Sequence, residues 1–302
     1  MDYEYIAVII NSTIRSTTPV LFAALGSAIC SRAGIFNVAL EAQLLIASFV
    51  SIALNALTKS LIFAVVGGIV ASVIVSFIVA LLHVKYKAAD MIVGTSLNAL
   101  VGGLTIFLLS LVFGVRGTLS DPSFIRMPTI NIPILKDIPF VGVVFGQLTI
   151  FDYLSYIMAI LMYIHLFKTV SGFRLQSVGI KKVASESLGV NAIRIQMMAV
   201  LFSGVLCGIG GCALSMGQVT LFAEGMTAGR GWIGMAASSV GLAHPIYVII
   251  SSMFFGFAQA LGGALQVSFS SQLTSAVPYV ATIIALGYSG YVAKKRRLKA
   301  RQ

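Results

Sequence analysis

The feature that most constrains this chain is a series of apolar runs, each about 20 residues long, that recur along the whole sequence. A helix needs roughly 20 apolar residues to cross the hydrocarbon core of a bilayer. Only 10% of the 302 residues are charged, against about 25% in soluble domains. The runs lack the apolar/polar alternation of a transmembrane β-strand. The sequence therefore predicts an all-α, polytopic bundle of transmembrane helices.

Nine apolar stretches are predicted, within a range of eight to ten. The first contains Arg15, which favours an interfacial helix leading into a short span. The seventh is short and rich in glycine, so the pattern leaves open whether it spans or re-enters on the same side. The stretches are 6–30, 37–55, 60–82, 90–113, 152–168, 196–222, 227–243, 246–268 and 276–292.

Positive charges predict the orientation of the bundle. Placing the C-terminus in the cytoplasm puts 14 lysines and arginines on the inner side and six on the outer side, as the positive-inside rule requires. The N-terminus then lies outside. The net charge of +11 thus comes from loops and the tail and predicts lipid headgroups, not nucleic acid, as the partner of these charges.

The chain is predicted to form one transmembrane domain, residues 1–302, with three notable polar segments. Residues 169–195 form a basic cytoplasmic loop, the longest polar stretch on that face. Residues 114–151 contain four prolines and are predicted to form an extended loop outside the membrane. Residues 293–302 form a basic cytoplasmic tail.

No catalytic or metal-binding pattern is present in the sequence. It contains no HExxH, no serine elbow and no phosphate-binding GxxxxGK[ST], so we expect no catalytic residue, no bound cofactor and no ATP hydrolysis by this chain. His83, His165 and His244 are scattered near predicted helix ends. The three cysteines lie in or beside apolar runs and are expected to be packing residues.

A few polar residues inside the spans are candidates for a translocation path. Asn37 and Glu41 are four residues apart and would share one helix face of the second span, and Asn98 is the deepest polar group of the fourth. Buried polar groups in lipid usually face protein or a water-filled path. For Glu41, two roles stay open: a place in the path or its inner gate, and a helix–helix hydrogen bond or interfacial position near the inner surface. For Asp90, at the start of the fourth span, an interfacial position is favoured.

Helix contacts are predicted where small residues recur, because close backbone approach replaces the hydrophobic drive in lipid. Examples are Gly204 with Gly208, Ala258 with Gly262, and the doublets Gly67–Gly68, Gly102–Gly103 and Gly210–Gly211.

Acids are predicted near the ends of spans and not at the midplane, where a proton-coupled carrier needs one. The energy for transport is therefore expected to come from another source.

Several segments resemble the permeases of bacterial ABC importers that handle simple sugars, nucleosides and branched-chain amino acids. RAGIFNVALEAQLLIASFV (32–50) resembles that family's ER-G-x-x-N-x-G-x-E-G-Q segment, with alanine at 39 and 42 where glycine is frequent. SESLGVNAIRIQMMAVLFSGVLCGIGGCALS (185–215) and GRGWIGMAASSVGLAHP (229–245) are similar to the second half, with Trp232 in the Gly-Arg-Gly-[FY] stretch. MIVGTSLNALVGGLTIFLLSLVFG (91–114) and IPILKDIPFVGVVFGQ (132–147) resemble the shorter of two paired nucleoside permeases. The resemblance runs from Pro19 to Tyr291.

The resemblance implies a bacterial inner-membrane subunit that pairs with a similar permease as a heterodimer. A cytoplasmic ATPase with tandem cassettes would bind ATP and Mg²⁺, and an extracytoplasmic lipoprotein would deliver nucleosides. It also implies a short coupling helix that contacts the ATPase: Val183, Ala184, Ser185, Glu186, Ser187, Leu188, Gly189 and Val190. Gly189 suits the end of such a helix. Trp232 joins Asn37, Glu41 and Asn98 as a candidate for the path.

Three alternatives stay open at this point. Simple sugars are the alternative cargo within the same class of transporter. An ion-coupled secondary carrier would need a midplane acid and would work without an ATPase. A membrane anchor without transport activity would tolerate substitutions at Glu41 and Asn98.

Overall fold

The structure, a computed structural model, describes residues 3–130, 139–146, 148–266, 276–285 and 287. Its helices are α1 Tyr3–Arg32, α2 Leu40–Thr58, α3 Leu61–Val79, α4 Asp90–Phe113, α5 Pro139–Phe145, α6 Ile150–Lys168, α7 Val170–Ile180, α8 Lys182–Ser187, α9 Ala192–Cys212, α10 Arg230–Val240 and α11 Pro245–Leu265. Two helices continue as π-helical segments, α3 through Ala80–Lys85 and α9 through Ala213–Val219. A further helical segment, α12, covers 277–285.

Seven helices in the described part of the chain are long and apolar enough to cross a membrane. They match seven of the nine predicted stretches: Tyr5–Arg32, Leu40–Thr58, Leu61–Lys85, Asp90–Phe113, Ile150–Lys168, Ala192–Val219 and Pro245–Leu265. The all-α membrane fold is thereby confirmed. The stretch 276–292 lies partly outside the described residues, as the tail 293–302 does entirely, so the count of about nine spans stays a prediction.

The seventh predicted stretch, 227–243, contains only the short helix α10. Its 11 residues are about 16 Å long at 1.5 Å per residue, roughly half of the hydrocarbon core. Gly234 of α10 packs on α1 so closely that a Cβ there would lie 2.6 Å from the Cβ of Ala23. This helix is therefore embedded in the bundle and does not span it alone.

The centre of the bundle is α1, which packs against α9, α10 and α11, while α3 packs against both α2 and α9. The predicted glycine contacts are found at most positions. A Cβ on Gly204 would meet Ser76, and one on Gly211 would meet the carbonyl oxygen of Leu44. Gly102 and Gly103 on the outer helix α4 are different, because a Cβ at either would meet no atom within 4 Å among the described residues.

The loop regions cluster at two ends of the bundle. At one end Gln196 reaches the carbonyl oxygen of Ala33, and Arg32 reaches that of Ala243. We call this the basic end, because Arg32, Lys85 and the segment 168–194 lie there. At the opposite end, β1 Thr118–Leu119 pairs antiparallel with β2 Phe222–Ala223.

The segment 114–151, predicted to be an extended loop, is extended only in part. It contains the strand β1, the helix α5 and the first residues of α6, while 131–138 and 147 are outside the described residues. Asn11 of α1 donates a 2.7 Å hydrogen bond to the carbonyl oxygen of Val144 in α5. This part of the segment therefore packs on the bundle through α1.

Candidate functional site

A break in the helical backbone lies between α1 and α2. Residues 33–39 enter the bundle without helical structure, and α2 begins only at Leu40. Backbone groups at such a break need partners, because the membrane core offers no water. Asn98 of α4 supplies two: its Oδ1 accepts from the N–H of Ala42 at 2.9 Å, and its Nδ2 donates to the carbonyl of Val38 at 3.0 Å. Asn98 therefore stabilises the start of α2.

Glu41, the second residue of α2, binds the N-terminus of α10. Its Oε1 accepts from the N–H of Gly229 at 2.9 Å and its Oε2 from the N–H of Gly231 at 2.7 Å. A carboxylate at a helix N-terminus satisfies orphan N–H groups and complements the helix dipole. Gly231 is required by this contact, because a Cβ there would lie 2.5 Å from the backbone nitrogen of Glu41. Two helix N-termini thus meet at one carboxylate.

Glu41 lies at the start of the second helix. It follows the non-helical segment 33–39 and precedes Ala42, whose N–H donates to Asn98. Asn98 lies roughly 12 Å along α4 from Asp90, at 1.5 Å per residue. The prediction that the acids lie near the ends of spans agrees with this position, because Glu41 is in the first turn of the candidate span Leu40–Thr58. Asp90 does lie at the basic end, where its Oδ1 is 2.9 Å from Nδ1 of His83.

Asn37 does not share a helix face with Glu41, so the prediction that it does is wrong. It lies in the break, where its Oδ1 accepts from the N–H of Ala39 at 3.1 Å and its Nδ2 donates to Oγ of Ser203 at 3.1 Å. The residue is 2% exposed. Its side chain ties the break to α9, and one side of it lines a cavity described below.

Arg230 is the functional candidate that the sequence reasoning missed. It was counted among the outer charges, but it opens α10 between the two glycines that Glu41 binds. Its Nη1 donates to the carbonyl oxygens of Met226 and Thr227 at 3.0 and 3.2 Å. Its Nε is buried and has no partner among the described residues. The sequence signal for Arg230 is the Gly-Arg-Gly stretch, because glycines on both sides of an arginine let another part of the chain come close to the backbone beside its charge.

Two cavities, each lined by both polar and apolar residues, lie on either side of the Glu41–α10 contact. The larger, about 780 Å³, lies between α1, α10, α11 and α12 and includes Arg230 and Gln259. The smaller, about 330 Å³, opens at the basic end and includes Asn37 and Arg32. Between them Ala23 of α1 packs on α10. A third cavity, about 820 Å³ and mostly apolar, lies between α6, α7 and α9.

The predicted path residues are therefore brought close together but differ in role. Glu41 and Asn98 are committed to backbone hydrogen bonds, and Asn37 contributes to the cavity at the basic end. Trp232 is 41% exposed and lines none of these three cavities.

The predicted coupling segment 183–190 overlaps the short helix α8, Lys182–Ser187, at the basic end. Val183 and Leu188 are 77% and 85% exposed, so an apolar surface is presented outward. Gly189 has a φ of +80°, and the N–H of Val190 donates to the carbonyl of Ser185 at 3.1 Å. This is the geometry of a glycine-terminated helix, as predicted from the sequence.

Comparison with known proteins identifies the class of protein that this fold and these sites define. Residues 9–286 match the family described as branched-chain amino acid transport system / permease component. The chain belongs to this family, which confirms the resemblance found in the sequence. Its relatives are transport components, not enzymes. No solved structure matches the chain significantly.

Three relatives show where the chain falls within the family. The nucleoside ABC transporter permease protein NupC of Lactococcus lactis is 32% identical, covering 92% of this chain and 91% of NupC. The guanosine ABC transporter permease protein NupQ of Bacillus subtilis is 29% identical, covering 98% and 96%. The putative glucose ABC transporter permease protein TsgC13 of Haloferax volcanii is 27% identical, covering 95% and 92%. The two bacteria each have a second, more distant relative, also named as a nucleoside or guanosine permease, at 24% and 25% identity.

Proposed function

We propose that this chain is the membrane-spanning permease subunit of an ATP-driven importer that carries nucleosides across a bacterial inner membrane. The observation that carries the proposal is the family match together with nucleoside-named relatives that align over more than nine-tenths of both chains. The alternative cargo is a simple sugar, favoured by the similarity to TsgC13. Both cargoes are polar and uncharged, which suits a bundle whose partly buried carboxylate Glu41 is already bound to backbone N–H groups.

A second permease is proposed as the partner within the membrane. Its support is that each bacterium with a close relative also has a second one named for the same cargo. The wide apolar surfaces of α3, α4 and α6 include Phe63, Phe107 and Ile160, all exposed in the single chain. Lipid and the second permease would together cover these surfaces.

The basic end is proposed to face the cytoplasm and to receive the ATPase. The exposed Val183 and Leu188 of the coupling segment would insert into a groove of that subunit, with Arg174 and Lys181 nearby. ATP and Mg²⁺ would bind to the ATPase, and a lipoprotein would deliver cargo at the opposite end. A secondary carrier is disfavoured because the carboxylate of Glu41 is already bound to the N–H groups of Gly229 and Gly231 and serves as a helix cap.

Two experiments test the proposal. Co-purification of the tagged chain from its native membrane should yield a second permease and a tandem-cassette ATPase, and ATP-dependent uptake of radiolabelled nucleoside should require all of them. A chain that purifies alone and transports without ATP would overturn the proposal. For orientation, single cysteines at Ser120 and Ser187 should react with impermeant maleimide from the outside and the inside, respectively; labelling from the same side would contradict the topology.

A further inference from the structure

The third cavity, between α6, α7 and α9, is a groove whose floor is buried and whose edges are exposed. Met162 and Ala199 on its floor are each 2% exposed, whereas Leu161 and Met198 at its edges are more than half exposed in the single chain. Its volume is about 820 Å³, within the range of about 300–1,000 Å³ for small-molecule sites. Because α6 and α9 are candidate membrane spans, the open side of the groove faces lipid or another membrane-spanning chain.

The groove runs along α9 from the basic end to the middle of the bundle. Its contacts on α9 extend from Arg194 to Val205, about 16 Å at 1.5 Å per residue. This is roughly the thickness of one leaflet, since the whole hydrocarbon core is about 30 Å thick. The length therefore matches a lipid acyl chain that enters from the membrane surface at the basic end.

The polar residues of the groove are confined to its mouth. They are His165, Ser171 and Arg194, all at the basic end, and the other described lining residues are apolar. A polar cargo would leave its hydrogen-bonding groups unpaired along such a wall. An amphipathic molecule with a long apolar tail and a polar head suits the groove better.

The mouth of the groove also carries positive charge. Arg194 is exposed and forms no salt bridge with an acid in the described part of the chain, where Asp90 at the same end contacts His83 instead. Arg194 lies in the first turn of α9, which begins at Ala192, so the positive end of the helix dipole adds to its charge. An arginine presents paired donors that match the oxygens of a phosphate. The head of the occupant is therefore expected to be anionic.

We propose that this groove binds an anionic phospholipid of the leaflet at the basic end, with its phosphate on Arg194 and an acyl chain along α9. The inference goes beyond the proposed function, because it concerns a lipid and not the cargo. The lipid would contact α6, α7 and α9 together. Since α7 leads into α8, the bound lipid would stabilise the position of the helix that overlaps the coupling segment.

The test uses phosphatidylglycerol with a photoreactive diazirine in its acyl chain, and the matching phosphatidylcholine probe. The chain is purified in its native assembly, placed in nanodiscs of phosphatidylcholine and labelled with each probe. Peptides covering 157–166 of α6 and 194–205 of α9 are then analysed by mass spectrometry. We expect the phosphatidylglycerol probe to label these peptides about fivefold more than the phosphatidylcholine probe, because one basic residue near the membrane surface contributes about 1 kcal/mol, which corresponds to that ratio.

Substitutions at the mouth assign this preference to one side chain. Arg194→Gln should lower the ratio to near one, whereas Arg194→Lys, which keeps the charge, should retain most of it. Lys85→Gln is the matched control, because Lys85 is an exposed cation at the same end that does not line the groove. An equal ratio in the wild type and Arg194→Gln would overturn the inference, as would a wild-type ratio near one. The wild-type comparison also decides the matter if Arg194→Gln fails to fold, which thermal unfolding detects.

A protein in the groove would give a different result. Both peptides would then stay unlabelled by both probes, which excludes the lipid, and a benzophenone attached at Leu161→Cys would cross-link to the second permease. The labelling requires no transport, so its result does not depend on which cargo the transporter carries. Failure to transport a nucleoside would therefore contradict the proposed function alone.

Discussion

Gly179, near the end of α7, lies directly on Gly34, at the start of the break between α1 and α2. A Cβ on Gly179 would lie 2.1 Å from the carbonyl oxygen of Arg32 and 3.0 Å from the backbone nitrogen of Gly34. A second link runs beside it, because Lys182 donates to Oε1 of Gln196 at 3.2 Å and Gln196 donates to the carbonyl of Ala33 at 3.2 Å. A displacement of α7 and α8 would therefore be transmitted through these contacts to the break at 33–39.

Gly179→Ala should impair transport because it forces α7 away from the break. Overpacking of a tight contact costs about 1–3 kcal/mol. Because we expect the contact between α7 and the break to move during transport, this strain should lower uptake at least about tenfold. Gly103→Ala is the matched control, since a Cβ there meets no described atom within 4 Å. ATP-dependent uptake and ATPase activity are measured for both. Equal activity of the two variants would contradict a role of the Gly34–Gly179 contact.

Leu188→Asp and Val183→Asp should abolish binding of the ATPase without unfolding the permease. Both side chains are highly exposed, so a charge at either position costs little in the free chain but opposes burial in an apolar groove. Tyr86→Asp is the control, because Tyr86 is also exposed at the basic end but lies outside the coupling segment. The measurement is the amount of ATPase recovered with each tagged permease. Full recovery with both variants would exclude this surface as the docking site.

Asn98→Leu should destabilise the protein and not simply alter cargo affinity. It would leave the N–H of Ala42 and the carbonyl of Val38 without their partners, at about 1–3 kcal/mol for each buried group. Ser96→Leu, at an exposed position of the same helix, should be nearly neutral. Thermal unfolding in detergent measures the difference. An Asn98→Leu variant with wild-type stability and an altered KM for uptake would contradict the structural role and indicate that Asn98 lies in the translocation path.

Glu41→Ala should destabilise the start of α10 because two N–H groups lose their acceptor. Loss of a helix cap costs about 0.5–2 kcal/mol. Glu186→Ala, which removes an exposed acid from the coupling segment, serves as the stability control. The readout is thermal unfolding at equal membrane content. An unaffected Glu41→Ala variant would show that the carboxylate is not a structural cap.

Much of the fold could be predicted from the sequence, and the exceptions have a common physical cause. Apolar runs predict helices such as α3 and α4 well, because hydrocarbon thickness fixes their length. The break at 33–39 could not be seen in composition, because most of its residues are apolar and its partners come from distant helices: Asn98 binds the carbonyl of Val38, and Ser203 binds the side chain of Asn37. For the same reason, the contact of Glu41 with the N-terminus of α10 could not be predicted. Gly189 was predicted correctly because a glycine helix end is determined locally.

His244 leads to a prediction about pH. Its ring lies 4.9 Å from that of Phe167 and 4.8 Å from that of Tyr247, measured between ring centroids. Burial lowers the pKa of His244, and the positive charge of Arg32 lowers it further. The rings of Tyr163 and Tyr247 also contact the imidazole.

The sign of the pH effect follows from this lowered pKa. Below the ordinary histidine pKa of about 6.5, the unfolded chain binds a proton at position 244 more readily than the folded protein does. The contribution of His244 to stability is therefore complete above about pH 6.5 and is lost as the pH falls below it. His244→Phe keeps an aromatic ring in the stack but cannot be protonated, so its unfolding temperature should fall less between pH 7 and pH 5. Unfolding temperatures of both proteins across this range, with His83 and His165 unchanged, check the prediction, and parallel curves would contradict it.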